Sequence, residues 1–163
     1  MQITVIVDEA SQSYLQDLRT LYYPQHLNNN EAHITLIYKI DDALTDIITT
    51  IETIAHNQPI FNISIIDVLQ TPKGNQLILE SNTLSIFRTK IVEAIDTHLF
   101  RKDKLTFVPH CTIQHGVTAY KAFICNQLIQ KEIQYLNMSA VGIAFNTIVK
   151  GKIVNSRKLL FGG

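Results

Sequence analysis

The sequence predicts an α+β fold of two pseudosymmetric α/β lobes, with antiparallel sheets facing a central cleft. Three observations carry that prediction. Helical and strand hydrophobic periods alternate along all 163 residues. The order of elements in the first half recurs in the second. The middle strand of each half carries the same short pattern, His-x-Thr followed by an aliphatic residue.

The elements follow in order. Residues 3–7 are a short β-branched run, read as a strand that stops at Asp8 and not as a signal peptide, since it has no basic flank. Ser11 is a candidate cap for a helix carrying Tyr14, Leu15, Leu18, Leu21 and Tyr22 at helical spacing, ended by Pro24. Residues 32–40 read as a strand. Asp41 or Asp42 caps a second helix with Leu44, Ile47, Ile48, Ile51 and Ala55 on one face. Residues 60–69 and 76–80 form a hairpin about the turn Thr71-Pro72-Lys73-Gly74. The order then repeats. Thr83 caps a helix reaching to about residue 100, residues 105–114 contain a strand, and Thr118 caps a fourth helix. Strands at about 135–149, read as interrupted, and 153–161 close the chain, turning at Lys150-Gly151-Lys152. No linker rich in Pro, Gly or Ser separates the halves. Residues 1–163 therefore read as one domain, with lobes from about 1–80 and 81–163; an exchange of strands between them is compatible with this order.

Composition narrows the function classes. The hydrophobic fraction is 46% and the charged fraction 17%, against about 25% in ordinary globular chains, so disorder is excluded as the main state. Fourteen basic residues balance fourteen acidic ones, which disfavours gripping long nucleic acid by bulk charge. No run of about 18 apolar residues predicts a membrane span. Two cysteines, Cys111 and Cys125, make neither a disulfide framework nor a zinc cage, and read as buried reduced thiols of a cytoplasmic protein.

The chemistry lies in the two motifs, His33-Ile34-Thr35-Leu36 and His110-Cys111-Thr112-Ile113. With 6 His and 15 Thr, chance supplies roughly 0.5 His-x-Thr triplets, and roughly 0.1 once Leu or Ile must follow. Two copies at matching places in two half-repeats exceed that. On a strand, residues i and i+2 share a face, so His33 projects with Thr35 and His110 with Thr112. Two imidazoles can divide general acid and general base work near neutral pH. Two hydroxyls can hold phosphoryl oxygens. The set suits phosphodiester chemistry with no metal and no cofactor.

Other residues carry weaker signals. Lys39 shares the strand parity of His33 and Thr35. His115 is the one nearby candidate for a third metal ligand, but strict alternation puts it on the face opposite His110 unless Gly116 marks a bulge. Tyr22 or Tyr23 could stack a base, with core packing the commoner use. Lys104, with Arg101 and Lys102, precedes the second motif and could meet phosphate, although a solvated turn is the commoner outcome. His26, His56 and His98 sit at loops or helix ends and are assigned no role.

The motif pair resembles that of the 2H phosphoesterase superfamily, the 2′-5′ RNA ligase-like and cyclic phosphodiesterase proteins. Phe107-Val108-Pro109-His110 is similar to that family's approach to its second motif, whereas Ala32 stands where a proline is common. The resemblance implies a cytosolic, metal-independent enzyme acting on a small nucleotide or RNA end with a 2′,3′-cyclic or 2′-5′ phosphodiester. It implies His33 as acid and His110 as base for cyclic-phosphate opening, with Thr35 and Thr112 on the phosphate. Lys39, Tyr23, Lys104 and His115 are candidate substrate contacts. A monomer is expected. The alternative is a nucleotide- or RNA-binding module on the same fold, without turnover.

Overall fold

The computed structural model describes every residue except 42 and 43. The elements run β1 (Gln2–Val7), α1 (Glu9–Tyr22), β2 (Ile34–Ile37), α2 (Thr45–His56), β3 (Phe61–Thr71), β4 (Gly74–Glu80), α3 (Asn82–Ile95), β5 (His110–His115), α4 (Ala119–Glu132), β6 (Asn137–Val149) and β7 (Lys152–Leu160). After β1, each half reads helix, strand, helix, strand, strand, as the periodicities predict.

The caps differ from expectation where a nearer oxygen wins. Asp8, not Ser11, caps α1: its Oδ1 accepts from the Ser11 amide at 2.9 Å, and its Oδ2 from the Ser11 hydroxyl and the Ser139 amide. Ser11 lies inside the helix and is buried. Ser81, not Thr83, caps α3 through the Leu84 amide at 3.2 Å. Thr118 caps α4 as expected. Leu44 precedes α2 and supplies no side-chain cap; the candidate Asp42 lies outside the described residues. The third helix stops at Ile95, short of residue 100. Two 3-10 turns, Asp96–His98 and Arg101–Lys104, follow and bury Leu99 and Asp103.

The strands form one antiparallel sheet in the order β1-β2-β5-β4-β3-β6-β7, with β6 also paired to β1. The first six strands thereby close on themselves. The long β6 makes this possible, because residues 137–140 pair with β3 and residues 140–146 with β1. It is one continuous strand, not an interrupted one. Two four-stranded leaves result, β2-β1-β6-β7 and β5-β4-β3-β6, sharing β6. Each leaf draws strands from both halves of the chain, so the division at residue 80 does not separate them.

The inner faces carry Ile3, Val5, Ile34, Ile63, Ile65, Leu77, Cys111 and Ile143, all buried. Phe61, Phe87 and Phe161 pack together with centroids 5.3 to 6.3 Å apart, joining α3 to the chain end. The β6–β7 turn has Lys150 at φ 49° and Gly151 at φ 78°, the double left-handed step that a two-residue hairpin requires. No helix among the described residues is long and apolar enough to cross a membrane.

Candidate active site

The two motifs meet at the seam between the leaves. Ile34 of β2 pairs with Cys111 of β5. Continuing this antiparallel register one residue each way sets His33 opposite Thr112 and Thr35 opposite His110. The burial pattern agrees. Ile34, Leu36, Cys111 and Ile113 are buried, whereas His33, Thr35, His110 and Thr112 are half-exposed on the other face. Two strands from distant parts of the chain thus bring two imidazoles and two hydroxyls onto one surface.

Both histidines are held the same way. His33 Nδ1 lies 2.8 Å from the Glu31 carbonyl, and His110 Nδ1 lies 2.8 Å from the Val108 carbonyl. A carbonyl only accepts, so Nδ1 carries the proton and donates it in both rings. Each Nε2 is left to give or take a proton. Burial lowers the affinity of His33 for a proton, and the charge of Arg19 and the proximity of His110 act in the same direction; the Glu31 carbonyl opposes them.

Each motif ends in a β-bulge. Between β1 and β2 the register steps from Thr4↔Thr35 to Ile3↔Ile37, leaving Leu36 as the extra residue. Between β4 and β5 it steps from Gln76↔Thr112 to Asn75↔Gln114, leaving Ile113 extra. The aliphatic fourth residue of each motif is therefore the bulge residue. A bulge reverses the alternation beyond it. Ile37 and Gln114 turn inward and are buried, and His115, the last residue of β5, returns to the motif face. His115 thus shares the side of His110, against strict alternation, and is exposed at the strand end. Lys39 lies two residues beyond the end of β2, where strand parity does not place it; it is exposed, its Nζ 4.7 Å from the Phe100 ring. Among the described residues no three His, Cys, Asp or Glu side chains gather as a metal-holding group.

The remaining candidates have other partners. Tyr23 stacks on the Arg19 guanidinium at 4.0 Å, and Lys104 pairs with Asp96 at 3.1 Å. Neither side chain hydrogen-bonds to the four motif side chains among the described residues.

Several supporting residues gave no signal in the sequence. Gln2 of β1 donates to the Thr35 hydroxyl at 3.2 Å, which leaves the Thr35 proton free to be donated outward. Arg19 of α1 is buried and donates to the Thr112 carbonyl at 2.6 Å and to Asn28 Oδ1 and the Asn30 carbonyl. Arg88 of α3 is also buried and donates to the Leu36 carbonyl at 3.1 Å and the Asp103 carbonyl at 2.6 Å. Each arginine, from one half-repeat, thereby grips a motif strand. The buried Asp103 carboxylate accepts from the Tyr38 and Lys39 amides at 2.7 and 3.1 Å, fixing the end of β2. Lys102 covers the Tyr38 ring at 3.4 Å. An arginine at a helical core position is the one trace of this brace in the sequence; its acceptors are backbone carbonyls, which no side-chain pattern reveals.

The fold is similar to several solved structures. TT0787 of Thermus thermophilus aligns with a TM-score of 0.62 at 13% identity, over 100% of both chains. Escherichia coli LigT, in a structure complexed with 3′-AMP, aligns with a TM-score of 0.59 at 12% identity, over 97% of this chain and 93% of LigT. A protein described as a phosphoesterase aligns with a TM-score of 0.57 at 13% identity, over 98% of this chain and 97% of that one. No curated protein sequence matches significantly. The 2′-5′ RNA ligase superfamily profile matches residues 7–146, a span holding both motifs, their bulges and both buried arginines, and the chain belongs to that superfamily.

Proposed function

We propose that this member of the superfamily is a phosphoesterase that acts on a 2′,3′-cyclic phosphate or a 2′-5′ phosphodiester of a nucleotide or RNA end. The observation that carries the reading is the Ile34–Cys111 pairing, which sets each motif histidine opposite the other motif's threonine on one open face. LigT structures complexed with 3′-AMP, NADP+ and ATP support a small nucleotide as the ligand class.

In the opening direction His110 Nε2 takes a proton from water as the water oxygen bonds to phosphorus. The bond from phosphorus to a ribose oxygen breaks, and that oxygen receives a proton from His33 Nε2. The assignment of acid to His33 follows the family resemblance, and the roles exchange in the reverse reaction. The Glu31 and Val108 carbonyls stabilise whichever ring is charged. Thr35 and Thr112 donate to non-bridging oxygens, and these bonds strengthen as negative charge develops there. The sequence of events needs one charged and one neutral imidazole; burial works against a charged His33 in the free protein, and the anionic phosphate of a bound substrate works for it.

The test is a panel of 2′,3′-cyclic nucleotides, 2′-5′ dinucleotides and cyclic-phosphate RNA ends, assayed with a chelator present and read for the position of the product phosphate. Turnover that is lost with His33→Ala and with His110→Ala supports the reading. Nucleotide binding with no product on any of them supports the binding-module alternative. A monomer of the cytoplasm goes with the proposal, and sedimentation velocity checks the first of these.

A further inference from the structure

Six strands close on themselves, which leaves β7 with an open side: among the described residues it pairs with β6 and with no other strand. It runs nine residues, and all but Ile153 and Leu159 are exposed. The ladder fixes which backbone groups stand on the open side. The Phe161 amide donates to the Val141 carbonyl at 2.9 Å. Hydrogen-bonded and open pairs alternate along an antiparallel ladder. Leu160, Lys158 and Ser156, opposite Gly142, Ala144 and Asn146, therefore turn their amides and carbonyls away from β6. At the hairpin end the Ile153 amide also leaves the ladder, and Asn30 Oδ1 accepts from it at 2.9 Å. No side chain among the described residues does the same for Ser156, Lys158 or Leu160.

An open edge of this length is a template for another strand, and charge decides which strand fits. Beyond Glu132 the chain has no Asp or Glu, and Lys150, Lys152, Arg157 and Lys158 all fall in the β6–β7 hairpin. Arg157 is paired with Glu52 of α2, whereas the three lysines are exposed and have no ion-pair partner among the described residues. Glu9 and Glu31 line the same hollow as Lys158 without pairing with it. A second copy of β7 would set these cations against one another across the new ladder, which disfavours self-association. An acidic strand meets the opposite condition, and the exposed Val154 and Leu160 offer it apolar contact. We propose that β7 docks an extended acidic segment of a partner protein by strand addition, main chain to main chain at Ser156, Lys158 and Leu160, with partner carboxylates meeting Lys152 and Lys158. This surface is separate from the motif quartet, and the inference does not rest on the phosphoesterase reading.

The experiment titrates the full chain with labelled ten-residue peptides, read by fluorescence anisotropy and by amide hydrogen exchange. One peptide alternates glutamate with valine, and a second alternates lysine with valine. A third is the glutamate peptide methylated at every backbone amide, which keeps the charge and removes the main-chain donors. The glutamate peptide should bind ten-fold or more tighter than either of the others, and should slow exchange at the Ser156, Lys158 and Leu160 amides. Lys158→Glu should weaken it ten-fold or more. Ser156→Pro removes one outward amide, leaves the β6 ladder whole, and should weaken it to a similar degree. Equal binding of the methylated peptide, or binding with those three amides unprotected, overturns strand addition. No binding of any peptide also overturns it, and leaves the lysines as a guard against self-pairing alone. An oligouridylate of ten nucleotides that binds tighter than the glutamate peptide, without protecting the three amides, would make the hairpin a nucleic-acid surface instead. The comparison among peptides needs no variant, so it decides the matter even where Ser156→Pro does not fold.

Discussion

Arg19 of α1 donates through Nη1 to the carbonyl of Thr112 at 2.6 Å, so a helix of the first half-repeat holds the motif strand of the second. Arg88 does the reciprocal service for the Leu36 carbonyl. The two contacts brace the single β2–β5 register pair, which has little ladder of its own.

Arg19→Gln should therefore behave as a positioning defect. It leaves the partly buried Thr112 carbonyl without its donor, costing about 1–3 kcal/mol in denaturant unfolding. It also removes a positive charge that disfavours protonated His33. The His33 titration followed by NMR should move upward, and kcat should fall more than KM rises. An unchanged His33 titration with a lower melting temperature would mean the arginine is purely structural.

His33→Ala and His110→Ala should each lower kcat by about 10²–10⁴-fold with the fold intact, since neither side chain lies in the core. The double variant should be scarcely slower than the worse single one. Thr35→Ala and Thr112→Ala should cost about 1–3 kcal/mol of transition-state stabilisation each. Gln2→Leu should cost less than Thr35→Ala and add nothing to it, because Gln2 acts only through that hydroxyl. Steady-state kinetics on the best substrate of the panel decides all of these.

The pH dependence of stability has a definite sign. His33 binds its proton less readily in the folded protein than the ordinary value of 6.5 implies, chiefly because it is buried. Between that depressed value and 6.5 the unfolded chain holds more protons, so stability rises with pH across the window. It is fully present above 6.5 and lost as pH falls through the folded value. Urea unfolding from about pH 5 to 7.5 should show this slope, and His33→Gln should flatten it. Bound phosphate opposes the burial effect, so binding near neutral pH should draw in a proton. Calorimetry in buffers of different ionisation enthalpy measures that uptake.

Gly74→Ala should damage the second motif from its partner strand. A Cβ at Gly74 would overlap the Gln114 carbonyl, a backbone group that cannot step aside without moving β5. Overpacking of this kind costs about 1–3 kcal/mol, or about 2–4 °C of melting temperature for each kcal/mol. Thermal unfolding should show the loss, and kcat should drop with it because the bulge at Ile113 lies alongside.

Burial pushes both thiols up to about 11. Ellman's reagent should therefore react with neither Cys111 nor Cys125 in the folded protein, and with both after unfolding. Rapid reaction of one thiol under native conditions would contradict the packing around it.

The sequence by itself determined the elements and the pairing of each histidine with its threonine. Those features are local, since a period of two along Ile34-Thr35-Leu36 or Cys111-Thr112-Ile113 follows from the pleat alone. What the tertiary structure decided depends on contacts between distant residues. Strand exchange through β6 could not be read, because an antiparallel strand with apolar residues on one face can pair with β1 or β3 equally well. The bulges at Leu36 and Ile113 could not be read either, since each is defined by a partner strand with one residue fewer; the second moves His115 onto the working face. Arg19, Arg88 and Asp103 were invisible as site residues for a related reason. Their backbone partners are carbonyls and amides 11 to 93 residues away, and the backbone presents the same groups at every position until the fold chooses which of them to bring near.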